Sequence, residues 1–289
     1  MPRHQHREET AAAPMLRRFN DLRGYTIGAT DGDIGGVEDI YFDDLGWTVR
    51  YFVVDTGGWL SGRRVLLSPS VVRETEAAGR RMRTDLTRRQ VEESPSIDTA
   101  KPVSRQEESA LQAYFGYPSY WAGPYRWGPY AYPYPLVAGA APELVTEASG
   151  GTRGAEELAA RERESQDQHL RSARTVAGYG IRAIDGDLGH VEDFLIDEQD
   201  WAIRYLVVDP RSWWPGPHVL VGTDWIRAVS WEDSVVEVDV TREAVRNAPR
   251  YEPTGAFGRD EETRLYEHYR RPGYWDRRPD AWMSYPPAA

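Results

Sequence analysis

Two stretches of the chain, Gly35 to Asp43 and Trp47 to Asp55, are dense in Val, Ile, Tyr, Phe and Trp and are separated by Asp44-Leu45-Gly46. Such β-branched and aromatic runs around a short polar turn predict an antiparallel hairpin. Asp31-Gly32 marks an earlier tight turn, because Gly accepts φ values closed to other residues. Arg63 to Leu67 reads as a further short strand, and Val71 to Ala77 with Arg80 to Leu86 as a more polar edge pair. Thr87 is placed to cap a short helix that stops before Pro95. Five or six short strands in so few residues favour a small closed or nearly closed barrel, since closure removes unpaired edges.

The whole pattern then recurs at a constant offset of 154 residues, the step from Gly24 to Gly178. Asp31-Gly32-Asp33 meets Asp185-Gly186-Asp187, Val37-Glu38-Asp39 meets Val191-Glu192-Asp193, and Trp47 meets Trp201. Further on, Tyr120-Trp121 meets Tyr274-Trp275. In the second copy His218 to Val221, Trp225 to Trp231 and Val235 to Val240 read as strands, and Thr241 caps a helix that stops before Pro249. A period this long is too large for a solenoid unit, so each copy is expected to be a complete, independently folding β domain. A pseudo-twofold contact between the copies would make an internal dimer.

These signals divide the chain as follows: a disordered start (1–19), a first barrel (20–100), a helix (101–116), a Pro/aromatic-rich and charged linker (117–173), a second barrel (174–252), and a helix with a C-terminal tail (253–289). The fold class expected is mainly β, two small barrels in tandem, each followed by short helices. Ser104-Arg105-Gln106-Glu107 has capping-box spacing ahead of Leu111, Tyr114 and Phe115, and a counterpart helix is expected around Asp260 to Arg270. With 40% hydrophobic and 12% aromatic residues the chain can bury a core, while no apolar run approaches the ~18 residues of a membrane span. There is no Cys, hence no disulfide and no thiolate chemistry. The charged start, Met1 to Asn20, lacks the apolar stretch of a secretory signal, so a cytoplasmic address is expected. A net charge of −11 and an acidic excess in both barrels argue against a nucleic-acid partner.

The run Ile27 to Leu67 and its twin, through Asp185-Gly186-Asp187-Leu188-Gly189 and Trp201-Ala202-Ile203-Arg204-Tyr205-Leu206-Val207-Val208-Asp209, resembles the PRC-barrel domain. That family includes the cytoplasmic part of the photosynthetic reaction-centre H subunit and the C-terminal domain of a ribosome-maturation factor. The resemblance covers roughly Asn20 to Asp98 and Arg174 to Glu252. It implies a β-barrel used for docking onto protein partners, not for catalysis, and leaves room for peripheral association with a membrane or photosynthetic-type assembly. The H subunit's membrane helix and the ribosome factor's leading domain have no counterpart in this sequence, so neither specific role carries over.

Candidate chemistry is sparse. Counting an EF-hand loop from Asp31 puts Gly35 at position 5 and Phe42 at position 12, where oxygen ligands belong, so calcium is not expected. Neither a G-x-S-x-G elbow nor a P-loop occurs. His190 and His218 stand where the first copy has Gly36 and Arg64, and no His pair reads as a metal site. No catalytic, cofactor-binding or metal-ligating residue is therefore assigned. With a loop over Asp44 to Gly46, Ile40 would face Arg50 and Glu38 would lie diagonally from Arg50, predicting the structural ion pairs Glu38–Arg50 and Glu192–Arg204. Tyr117, Tyr120, Trp121, Tyr125, Arg126 and Trp127, with Tyr274 and Trp275, form aromatic segments that serve either as a partner surface or as a strap over the barrels. The function expected is a protein-binding adaptor or scaffold; the alternative is a sensor or carrier with a small-ligand site between the barrels.

Overall fold

A computed structural model describes residues 16–99, 101–123, 125–133, 169–210, 216–253 and 257–276. The expected disorder of residues 1–15, and the charged stretch 141–168, lie outside the described residues.

The first repeat runs β1 (Leu16–Arg18), α1 (Phe19–Leu22), β2 (Thr26–Ala29), β3 (Gly32–Asp43), β4 (Thr48–Asp55), β5 (Arg64–Leu67), β6 (Val72–Glu76), β7 (Arg81–Thr84), α2 (Arg88–Glu92) and α3 (Arg105–Phe115). The second repeats it as β8 (Leu170–Ser172), α4 (Ala173–Val176), β9 (Gly180–Ala183), β10 (Gly186–Asp197), β11 (Ile203–Asp209), β12 (Val219–Gly222), β13 (Ile226–Ser230), β14 (Val235–Val238), α5 (Arg242–Arg246) and α6 (Arg259–His268). The strand orders are β5-β4-β3-β2-β7-β6 and β12-β11-β10-β9-β14-β13. Among the described residues, only β2 with β7 and β9 with β14 pair in parallel. The sheets curl into barrel-like forms without closing. Thr87 and Ser104 cap α2 and α3 through capping boxes, as their spacing predicts.

The D-G-D-x-G signature is explained by close approach. A Cβ on Gly35 or Gly189 would stand 2.0 Å from the carbonyl oxygen of Asp55 or Asp209, so only Gly lets β3 and β10 cross the ends of β4 and β11.

The central hairpin departs from the expected register. Ile40 faces Phe52 and Tyr41 faces Tyr51, with shifts between Val37 and Asp39 and between Tyr41 and Phe42. The turn is one residue longer than read, since Trp47 sits at φ 46° and β4 begins at Thr48. Trp201, at φ 59°, repeats this. Glu38, Arg50, Glu192 and Arg204 each fall at a bulge, where an extra residue turns its side chain away from the ladder.

The repeats are not independent modules, which corrects the sequence reading. β1 leaves its own sheet and pairs antiparallel with β10, Arg17 facing Ile196; β8 pairs in the same register with β3, Arg171 facing Phe42. Each repeat thus lends its leading strand to the other. The exchange is symmetric to the residue: Trp47 and Trp201 carbonyls accept from Ile203 and Val49 N–H at 2.7 and 2.8 Å. Arg17 grips Glu198 while its twin Arg171 grips Asp44. This is the isologous contact of a twofold dimer, built within one chain. A contiguous core spanning both repeats follows, running from Phe19, Ile40 and Phe42 to Phe194, Leu206 and Trp225, beside a smaller cluster under α3 around Tyr51, Val53 and Leu111. Phe42 and Phe194 meet across the junction at 6.1 Å, and Trp201 packs edge-on against Phe52 at 5.0 Å. Two boundaries move accordingly: the first repeat starts within the segment expected to be disordered, and the second starts at Leu170, inside the expected linker.

Candidate functional site

Two clusters of polar side chains lie inside this frame. The first surrounds Arg50 and Arg204, the bulged residues of β4 and β11. Arg50 is 2% exposed. Its Nε donates to Asp43 Oδ2 at 2.8 Å, and its Nη1 to the Arg126 carbonyl at 2.7 Å. Tyr120 covers the guanidinium, with its ring centroid 3.9 Å away, and Trp127 follows at 5.0 Å. Arg204 is held by Asp197 and Asp200 at 2.9 and 2.6 Å and lies 4.0 Å from the Tyr274 ring. Burial raises the Asp197 carboxyl, and the Arg204 charge opposes that rise.

The covering rings are anchored by a buried glutamate on the following helix. Tyr120 donates to Glu108 Oε2 at 2.8 Å, and Glu108 Oε1 meets His169 Nε2 at 2.5 Å. In the second repeat Tyr205 and Tyr274 both donate to Glu262 Oε1, at 2.8 and 2.9 Å. Glu108 and Glu262 are both fully buried. Burial raises the Glu262 carboxyl and pushes the Tyr120 hydroxyl well above its ordinary range. The gap beside Arg50, lined by Tyr51, Gln112, Tyr117 and Tyr120, amounts to about 10 Å³, room for a single water and not for a ligand.

The second cluster sits where the exchanged segments dock. Asp39 Oδ1 accepts from Arg174 N at 3.1 Å and Asp39 Oδ2 from Ser172 Oγ at 2.5 Å, so this carboxylate caps α4 of the other repeat. Its twin Asp193 accepts from Asn20 N at 3.1 Å and caps α1. Burial raises both carboxyls, Asp193 to about 6. Beside Asp39, Glu38 holds Arg64 at 2.6 Å and Arg174 at 2.8 Å on the rim of a polar cavity of about 360 Å³ that Tyr41, Val53, Thr99 and Thr175 help to line.

Residues 15–91 match the PRC-barrel domain family. The first repeat is a PRC-barrel domain. No curated protein matches the chain. The second repeat, which lies outside that match, keeps the first repeat's order of strands and their pairing, position for position, at the same offset. The match begins at residue 15, so the exchanged strand β1 falls within the PRC-barrel segment itself.

Against this geometry, the expected ion pairs Glu38–Arg50 and Glu192–Arg204 do not form. Glu38 binds Arg64 and Arg174, Arg50 binds Asp43, Glu192 contacts His218, and Arg204 binds Asp197 and Asp200. The bulges send each pair of side chains in different directions. The aromatic candidates are packed inward as a strap. Tyr120 and Trp127 are buried, and Trp127 Nε1 donates to the Asp200 carbonyl of the other repeat at 2.9 Å. Arg126 reaches the Gly46 carbonyl at 2.7 Å and pairs with Asp200 at 3.4 Å, with burial lowering its pKa. Tyr117 stacks on Phe115, Trp121 lies under Arg105, and Tyr125 bridges to Gly128. Tyr274 and Trp275 pack edge-on against Tyr266. Sequence reasoning missed Asp39, Asp43, Glu108 and their twins Asp193, Asp197 and Glu262. Their signal was present: each is an acid kept at the same position in both copies.

Proposed function

We propose that the chain is a non-enzymatic adaptor, a rigid PRC-barrel pair that presents two related faces to protein partners. One observation carries this reading: strand exchange welds the repeats about a pseudo-twofold, which fixes the spacing and orientation of both outer surfaces. The internal chemistry supports it, because Arg50, Arg204, Glu108 and Glu262 are all engaged by protein groups, and the gap beside Arg50 is too small for a substrate. The setting favoured by the resemblance to the reaction-centre H subunit is the cytoplasmic face of a membrane-associated assembly. Among the described residues no helix is long and apolar enough to cross a membrane.

The test is affinity purification of the tagged full chain from its native cell, with cross-linking to map contacts. An adaptor yields partners cross-linked to outer strands of both repeats. Absence of any protein enriched over an unrelated bait, or cross-links confined to the tag, counts against it. A second reading, a small-ligand carrier, draws on the cavity between Glu38, Arg64 and Arg174. It predicts that a ligand copurifies with the chain and is lost in Arg174→Ala.

A further inference from the structure

One sheet corner differs between the two repeats in a chemically pointed way. In the first, Glu38 and Asp55 stand beside Arg64, whose Nε and Nη2 grip the Glu38 carboxylate at 2.6 and 3.1 Å. The corresponding residues of the second repeat are Glu192, Asp209 and His218, and Gly36 has become His190. A permanent cation has thus been exchanged for a nitrogen donor, while both carboxylates remain. Two histidines have arrived at the same corner.

The side chains converge. One donor atom from each of Glu192, Asp209 and His218 lies within 4.8 Å of the other two. His218 Nε2 contacts the Glu192 carboxylate, yet this buried nitrogen makes no hydrogen bond. His190 Nε2 stands 3.9 Å from Asp209 Oδ2. The Asp209 side chain is 5% exposed, whereas those of His218 and Glu192 are 26% and 41% exposed, leaving a route from solvent. Zinc bonded at about 2.0–2.2 Å in a tetrahedron sets its donors roughly 3.4 Å apart, a spacing that falls within the 4.8 Å over which these donor atoms are spread.

We propose that Glu192, Asp209 and His218 bind a first-row divalent cation, zinc foremost, with His190 in reach as a fourth ligand. The mixed imidazole and carboxylate set suits zinc better than calcium or magnesium, which prefer oxygen alone. Two carboxylates around a neutral imidazole balance the charge of such an ion, as Arg64 balances part of the same charge in the first repeat. The site is therefore particular to the second repeat.

The test is calorimetric titration of the full chain with zinc chloride, with His4 and His6 replaced by Ala in every protein to remove competing imidazoles. The parent is expected to bind one zinc at this corner. H218R, which installs the first repeat's own residue and so preserves the fold, is expected to weaken binding at least ~10-fold, since even a group behind a metal ligand is worth about that much. E192Q should weaken it as well. Zinc should raise the melting temperature of the parent but not of H218R. Cobalt in place of zinc should give a visible absorption band that H218R abolishes. No binding to the parent, or equal binding to H218R, overturns the proposal and leaves His218 and Glu192 as an ordinary ion pair.

Discussion

Arg50 and Arg204 show how a sheet keeps a charge inside. Each sits at a bulge, is met by the aspartate that ends the preceding strand, and is roofed by a tyrosine. Removing one member leaves the other charged and buried, which typically costs about 3–5 kcal/mol. Asp43→Asn should therefore lower the unfolding free energy by an amount of that order, read in urea titration as a lower midpoint at unchanged slope. A second residue-scale effect concerns pH. The Asp193 carboxyl is raised by burial to about 6, above its unfolded value. Between about pH 4 and 6 the folded chain holds a proton that the unfolded chain has lost, so stability falls as pH rises through this window. Urea titrations at pH 4, 5, 6 and 7 should show Asp193→Asn with a shallower fall than the parent. The residues singled out from sequence were well chosen and wrongly paired. A bulge is invisible to a count of alternating positions, so the partners of Arg50 and Glu38 were not legible.

Among the elements, the long strands and capped helices were readable and the exchanged pieces were not. β4 and β11 carry the apolar stretches 51–54 and 205–208, β3 and β10 end on shorter ones after the repeated Asp-Gly turn, and Ser104 and Thr87 announce their helices. By contrast β1 and β8 are Leu-Arg-Arg and Leu-Arg-Ser, three residues each, too short and too polar to show periodicity. They are strands only because β10 and β3 offer open edges and because Glu198 and Asp44 fix their arginines. Deleting residues 1–18 removes β1 and the Arg17–Glu198 pair, which is largely shielded from water at 14% and 9% exposure. A loss of roughly 2–3 kcal/mol is expected, and at ~2–4 °C per kcal/mol for a body of this size the melting temperature should drop by about 5–10 °C. An unchanged melting curve would mean that β1 contributes little. The aromatic strap was half legible: its composition marked it as special, and only the fold shows Tyr120 and Trp127 turned toward Arg50.

For the molecule as a whole, the two repeats unfold together or not at all. Cutting the chain at a protease site introduced between Gly150 and Gly151 should leave halves that co-elute on size exclusion and melt in one transition, because each half still holds the other's edge strand. Halves that separate in buffer would show that the covalent connection, not the exchanged strands, maintains the pair. The duplicated sequence pattern gave the two-fold count and the β class; it was silent on mutual completion, since a repeat reads the same whether its copies stand apart or interlock. That interlocking has a lasting consequence. Partners that share one polypeptide do not come apart on dilution, so their union is indifferent to cellular abundance. Each outer face is also free to drift alone, whereas in an assembly of two identical chains every alteration is imposed twice.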